Sequence, residues 1–202
     1  MPRALALAAL VLLAAGCAGG LAGEPTPTTA TDFRPAQIRQ PMIVVRVTFG
    51  PGTYDPRERD ILAGEYQGAL LEGLNARAVL ARDVEVRGER DRKPEARAAV
   101  ARARELGADH VIAVEVQVAR AETVFCRPER RPFYATVNVW RQGVEVARAA
   151  DGALRVVVAQ GSALDQTEFD ADCENPRRSR RLAPREAIEA AVKKLLGRVL
   201  GP

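Results

Sequence analysis

A helix meets a strand without a loop at residues 103–112, and this junction decides the predicted fold. It reads Ala103-Arg104-Glu105-Leu106-Gly107-Ala108-Asp109-His110-Val111-Ile112. Apolar residues at helical spacing predict a helix over Pro94 to Leu106, and Gly107 stands where a glycine commonly ends a helix. Valine and isoleucine then alternate with polar residues from Val111 to Arg120, which predicts a strand with one solvent-facing side. The junction is typical of an α/β domain.

The segments on either side of this junction supply further strands and helices. Those upstream predict a buried strand, a helix capped by Asp55 and a weaker strand: Met42 to Phe49, Pro56 to Asn75, and Val79 to Val86. Those downstream predict a strand, a hairpin turn, two more strands and a last helix: Phe133 to Arg141, Gln142-Gly143, Val144 to Val146, Leu154 to Ala159, and a helix opening at Pro184.

This order predicts one α/β (α+β) domain of two layers. We expect a mixed β-sheet of about five to six strands, with about three helices packed mainly on one face. The core must consist of aliphatic residues, because aromatic residues make up only 4% of the chain.

The step Leu106-Gly107-Ala108-Asp109, between a helix and a valine-rich strand, resembles the TolB amino-terminal-like domain. That domain also occurs in CsgG-type curli secretion lipoproteins and in lipoprotein activators of penicillin-binding proteins. The similarity covers residues 42–150 and the last helix, and Gly143 between Val139 and Val146 fits it. The resemblance implies an envelope lipoprotein whose domain binds another protein and does not catalyse a reaction. Two stretches depart from the pattern: Phe125 to Arg131 and Ala163 to Arg181.

The N-terminus carries an export signal. After Arg3, the apolar run Ala4 to Ala15 is shorter than the ~20 residues of a membrane-spanning helix and suits a secretory signal. It ends in Ala14-Ala15-Gly16-Cys17, which resembles a bacterial lipobox; an ordinary signal peptide with an incidental cysteine is the alternative. We therefore predict a signal peptide over residues 1–16, a lipidated Cys17 with a flexible tether over residues 17–40, and the α/β domain over residues 41–202. Ala18 favours the outer membrane, facing the periplasm.

The remaining cysteines and arginines provide the candidate binding site. Cys126 and Cys173 are an even pair in an oxidising compartment, so they predict a disulfide, with two free thiols as the alternative. A bridge would bring two basic runs together: Arg127, Arg130, Arg131, Arg177, Arg178, Arg180 and Arg181. Such a patch suits an acidic partner, such as lipid head groups, acidic glycan or an acidic protein surface. Alternatively, the acids between residues 165 and 174 neutralise these arginines locally.

Catalytic and metal sites have little support. The only histidine, His110, begins a predicted strand, and a Cys126–His110 dyad competes with the predicted disulfide. Asp170, Asp172 and Glu174 are similar to the start of a calcium loop, but Asn175 replaces its glycine. We predict no enzyme, metal or cofactor.

The net charge of +4 is mild, and basic residues mostly alternate with acids, so nucleic acid is not an expected partner. The expected function is binding an envelope protein or a peptidoglycan-associated partner from a lipid anchor. An oligomeric CsgG-like secretion or assembly component is the alternative, although the sequence shows no long membrane-spanning strands. The oligomeric state and the identity of the partner stay open.

Overall fold

The computed structural model describes residues 28–50, 54–125, 133–161 and 164–201. Its strands are β1 (Thr28–Thr29), β2 (Met42–Phe49), β3 (Asp83–Arg87), β4 (His110–Phe125), β5 (Phe133–Arg148), β6 (Leu154–Val158), β7 (Gln166–Thr167), β8 (Phe169–Asp170) and β9 (Arg180–Arg181). Its α-helices are α1 (Pro56–Asn75), α2 (Val100–Glu105) and α3 (Pro184–Leu200), and short 3-10 turns lie at Pro35–Gln37, Arg97–Ala99 and Pro176–Arg178.

Seven strands form one mixed sheet in the order β1-β6-β5-β4-β2-β3, with β7 beside β5. Strand β2 lies parallel to both β3 and β4, whereas β4, β5, β6 and β1 pair antiparallel. Strands β8 and β9 form a separate two-stranded sheet. The predicted α/β class with a mixed sheet is confirmed.

Helices α1 and α3 cover one face of the large sheet. Helix α1 begins as predicted, with Asp55 accepting a hydrogen bond of 2.9 Å from the Glu58 backbone N–H and Pro56 at the first position. Its buried face is set by helical spacing and consists of Leu62, Tyr66, Leu70 and Leu74. These residues pack with α3 against alternate residues of the central strands, such as Ile43, Val45, Ile112 and Val114.

The other set of alternate residues builds a smaller core on the opposite face. There Val100 and Ala103 of α2 pack on Met42, Val44 and Ala113. Helix α2 is shorter than the predicted helix because a 3-10 turn takes up Arg97–Ala99. The chain leaves α2 through Gly107, whose φ of 70° is the left-handed conformation expected after a helix.

The predicted flexible tether is wrong for residues 28–40, which belong to the folded domain. Strand β1 adds to the β6 edge, and Arg155 Nη1 donates to both carboxylate oxygens of Asp32 at 2.8 and 2.9 Å. Phe33 and Ile38 are buried in the main core. These two apolar side chains hold a segment whose composition otherwise looks disordered. Residues 17–27 and Cys17 lie outside the described residues.

The predicted hairpin turn at Gln142-Gly143 is also wrong, because β5 runs straight through it. The Gln142 side chain is fully buried and forms hydrogen bonds to Tyr66 of α1, Ala191 of α3 and Leu164. A Cβ on Gly143 would lie 3.2 Å from the Gln160 backbone nitrogen and the Val158 carbonyl oxygen. The glycine therefore admits the neighbouring backbone to an extended strand and makes no turn.

Strands β4 and β5 form the longest feature of the fold. Each has 16 residues, and they pair along their whole length, from His110 opposite Arg148 to Phe125 opposite Phe133. The expectation that the chain has no long strands is therefore wrong. Strand β5 joins two segments that the sequence predicts as separate strands. No helix within the described ranges is long and apolar enough to cross a bilayer.

Candidate functional site

A cavity of about 310 Å³ lies where the β4–β5 hairpin meets the segment that leads into α3. We call it the hairpin pocket. Its lining comes from β4, β5, the residue before β8, β9 and the start of α3: Arg120, Thr136, Val137, Asn138, Glu168, Arg181, Leu182 and Pro184. This combination of charged, amide and apolar side chains is the chemistry of a ligand site.

Two buried polar side chains, Asn138 and Glu168, form the floor of the hairpin pocket. Their exposed fractions are 8% and 5%. The Asn138 Nδ2 donates to Glu168 Oε1 at 2.6 Å, and the Asn138 backbone N–H donates to Oε2 at 3.4 Å. The Glu168 backbone N–H donates in return to the Asn138 carbonyl at 3.0 Å. The floor is therefore held by both backbone and side chain.

Tyr54 supports this floor from below. Its hydroxyl donates to Asn138 Oδ1 at 2.7 Å, which orients the amide so that its nitrogen points at Glu168. Burial raises the pKa of Tyr54 to about 12, although the charge of Arg120 opposes this shift. The hydroxyl thus remains a proton donor throughout the physiological range.

Arg120 and Arg181 supply positive charge to the hairpin pocket. The Arg120 guanidinium lies 4.8 Å from the centre of the Tyr54 ring and donates to Glu58 Oε1 at 2.7 Å. Arg181 donates to the Thr136 carbonyl oxygen. A guanidinium has five N–H donors, so these contacts leave each arginine with capacity for a ligand.

Strand alternation explains how the pocket arises. Strand β7 pairs with β5, with Val139 opposite Thr167, and the chain then continues along the hairpin. Phe169 and Ala171 pack against Val137 and Ala121 on one face. Glu168 consequently points to the other face, because successive side chains of an extended chain alternate.

The structure divides the predicted basic patch. Arg177 and Arg178 are exposed in a 3-10 turn, whereas Arg180 is paired with Glu186 of α3 at 3.0 Å. Arg181 belongs to the hairpin pocket. The other predicted members, Arg127, Arg130 and Arg131, lie outside the described residues. Arg177 and Arg178 therefore form an exposed basic turn that precedes Arg181 of the hairpin pocket in the sequence.

Cys173 is disulfide-bonded. Its predicted partner, Cys126, lies outside the described residues, so the predicted pairing is untested. Cys173 is exposed and follows a segment that packs along the outer half of the hairpin through Phe169 and Ala171.

A Cys126–His110 dyad does not fit the fold. His110 begins β4 and Phe125 ends it, which separates them by roughly 50 Å along an extended strand. His110 is buried, and its Nδ1 lies 3.2 Å from Asp109 Oδ1.

In the acidic segment, the Asp172 carboxylate accepts backbone hydrogen bonds from Glu174 and Asn175. Among the residues that the structure describes, no cluster of histidine, cysteine or carboxylate side chains could hold a metal ion.

Sequence reasoning missed the hairpin pocket. Glu168 was noted only as one acid of a polar stretch, and Tyr54, Arg120 and Asn138 were not singled out. The available signal was weak. Glu168 follows polar Thr167 and precedes a short alternation in which Phe169 and Ala171 are apolar. The long-range pairing of β7 with β5 is what joins these residues.

No protein-family model matches the sequence, and no curated protein matches it. Among solved structures, the chain is similar to a PelC dodecamer from Paraburkholderia phytofirmans, with 15% identity, coverage of 87% of this chain and 96% of that chain, and a TM-score of 0.44. It is also similar to a putative neuraminyllactose-binding hemagglutinin homolog from Helicobacter pylori, with 9% identity, coverage of 86% and 88%, and a TM-score of 0.41. A third is the hypothetical protein CT253 from Chlamydia trachomatis, with 14% identity, coverage of 80% and 99%, and a TM-score of 0.36. Likeness this distant assigns neither family nor function.

Proposed function

We propose that this protein is a non-enzymatic, lipid-anchored protein of the bacterial envelope that binds an envelope protein or a cell-wall component. The anchor is diacylglycerol on Cys17, and the location is the periplasmic side of the outer membrane. The lipobox-like sequence supports the anchor and the compartment. The hairpin pocket, with the exposed basic turn that leads to it, supports binding.

The observation that carries the binding proposal is the arrangement of charge at one end of the β4–β5 hairpin. Arg120 and Arg181 line the hairpin pocket, and Arg177 and Arg178 are exposed in the turn that leads to Arg181. Among the described residues, Arg177 and Arg178 form no ion pair. Unpaired arginines that lead to a formed pocket suit recognition of carboxylate or phosphate groups.

Site-directed crosslinking in the native envelope tests this proposal. A photoreactive residue at Arg178 should trap a specific partner, and the same residue at exposed Glu105 on α2 is the matched control. Equal products from both positions would contradict a binding site at the hairpin pocket. Mass spectrometry of the native protein should find fatty acid at Cys17, and a chain that starts at Met1 would refute the anchor.

An oligomeric secretion or assembly component is the second candidate, and the β3 edge of the sheet favours it. Among the described strands, β3 pairs only with β2, so its other edge has no strand partner, although the Val84 backbone N–H donates to Asp83 Oδ1 at 3.0 Å. Val86 on β3 is 53% exposed, and Leu80 before it is 60% exposed. An open strand edge with apolar side chains is a template for pairing with another chain. Light scattering of the detergent-extracted protein, with Val86→Lys as the interface variant, distinguishes a ring from a monomer.

A further inference from the structure

We infer that the hairpin pocket binds a free α-amino acid group, in which an ammonium and a carboxylate sit on one carbon. The ammonium is placed at Glu168, and the carboxylate is placed between Arg120 and Arg181. This inference rests on the proposed function and names the ligand chemistry of the same site.

The buried carboxylate at the floor of the pocket favours binding of a cation. Glu168 is 5% exposed, and no basic side chain of the described residues forms an ion pair with it. Among the described residues, its carboxylate accepts hydrogen bonds from one residue, Asn138. A carboxylate has about four acceptor positions, and buried carboxylates are normally matched by opposite charge. A ligand ammonium would supply the missing charge and donors.

The rim of the pocket, formed by Arg120 and Arg181, favours binding of an anion. The described contacts of Arg120 and Arg181 use few of their guanidinium donors. A ligand with only an amine would meet repulsion from these two arginines, and one with only a carboxylate would meet repulsion from Glu168. A group that carries both charged substituents on one carbon satisfies floor and rim together.

The size of the pocket limits the ligand. A volume of about 310 Å³ is near the lower limit of small-molecule sites, which start at ~300 Å³. A cavity of this size has room for a single amino acid group. Two sources share this chemistry: a free amino acid, and the side-chain end of a diamino dicarboxylic residue in a cell-wall stem peptide.

Calorimetric titration of the detergent-extracted full-length protein tests the inference, with diaminopimelic acid as the probe. We expect binding that is at least about tenfold weaker for pimelic acid, which lacks the amines, and for cadaverine, which lacks the carboxylates. Comparable binding of either control would overturn the inference. The absence of binding by diaminopimelic acid would also overturn it, whereas specific crosslinking at Arg178 would still stand on its own.

Variants locate the effect in the pocket. Glu168→Gln keeps the shape of the side chain and should weaken binding of diaminopimelic acid at least about tenfold, while Glu174→Gln, on an exposed carboxylate of the same segment, should leave it unchanged. If Glu168→Gln does not fold, Arg120→Gln provides the same readout from the rim. Unchanged binding in the folded pocket variant would refute the inference.

A stem tripeptide that ends in diaminopimelate distinguishes the two sources. Tighter binding of this peptide than of the free amino acid, lost on acetylation of the distal amine, identifies the cell wall as the source. Equal affinity identifies a free amino acid, and both results support the shared chemistry. Binding of the acetylated peptide as tightly as of the free-amine peptide would overturn the inference.

Discussion

The buried amide of Gln142 joins three parts of the molecule at one residue. Its Nε2 donates to the carbonyl oxygens of Leu164 and Ala191 at 2.6 and 3.0 Å, and its Oε1 accepts from the Tyr66 hydroxyl at 2.6 Å. Gln142→Leu would leave these three buried groups without their partner. We expect the free energy of unfolding to fall by about 3 kcal/mol, since each unsatisfied buried group costs about 1–3 kcal/mol and relaxation recovers part. Urea denaturation measures this change.

Two further variants make the Gln142 prediction specific. Gln67→Leu, at a half-buried glutamine on α1, should change the free energy of unfolding by less than about 0.5 kcal/mol. Adding Tyr66→Phe to Gln142→Leu should cost less than Tyr66→Phe alone, because the hydroxyl has already lost its acceptor. Strict additivity of the two changes would contradict the assigned bridge.

We expect the buried hydroxyl of Tyr54 to make the protein less stable at alkaline pH. Its pKa is raised by burial to about 12, whereas an unfolded tyrosine titrates near ~10. Between these values the unfolded chain releases a proton that the folded chain retains, so the free energy of unfolding falls as the pH rises. Below pH ~10 this contribution to stability is complete. Urea denaturation across this range should show a smaller fall for Tyr54→Phe than for the natural chain; equal slopes would count against the buried hydroxyl.

At the scale of elements, the contact between α1 and α3 depends on Gly73. An added Cβ there would lie 2.6 Å from Leu196 Cδ1 and 3.3 Å from Val192 Cγ1. At Gly64, on the exposed part of α1, no atom lies within 4 Å of such a Cβ. Both positions are inside the helix, so both substitutions gain the same helix propensity.

Alanine at these two glycines should therefore have opposite effects. We expect Gly64→Ala to raise the free energy of unfolding by about 0.5–1 kcal/mol through propensity alone. Gly73→Ala should lower it by about 1 kcal/mol, because Leu196 must shift within a packed interface. Thermal unfolding of both variants measures the difference, and a stabilised Gly73→Ala would show that α3 retreats without cost.

The elements also show what the sequence could predict. Local signals identified the helices: Asp55 and Pro56 open α1, and Gly107 follows α2. They failed at Gln142-Gly143, a dipeptide typical of turns. The partners of the Gln142 amide are distant in sequence, and they hold this dipeptide in an extended strand. The hairpin pocket escaped prediction for the same reason, since Glu168 meets Asn138 only through the pairing of β7 with β5.

At the scale of the whole molecule, the segment from Thr28 to Gln40 completes the domain. Phe33 is 7% exposed, and the Asp109 carboxylate accepts hydrogen bonds of 2.8 Å from the backbone N–H groups of Arg39 and Gln40. We expect Phe33→Ala to lower the free energy of unfolding by about 3 kcal/mol. Tryptic cleavage after Arg39 should accelerate with it, while Thr31→Ala, at an exposed position, should match the natural chain in both assays. Accelerated cleavage without loss of stability would mean that this segment detaches separately.

The incorporation of residues 28–40 into the body also limits where the molecule can act. With an acyl chain at Cys17, as proposed, only the links from residue 17 to residue 28 separate the bilayer from the first described strand. Fully stretched, these links span roughly 40 Å. The domain would therefore begin within roughly 4 nm of the membrane. It could contact only those wall components that lie within its own length beyond that point.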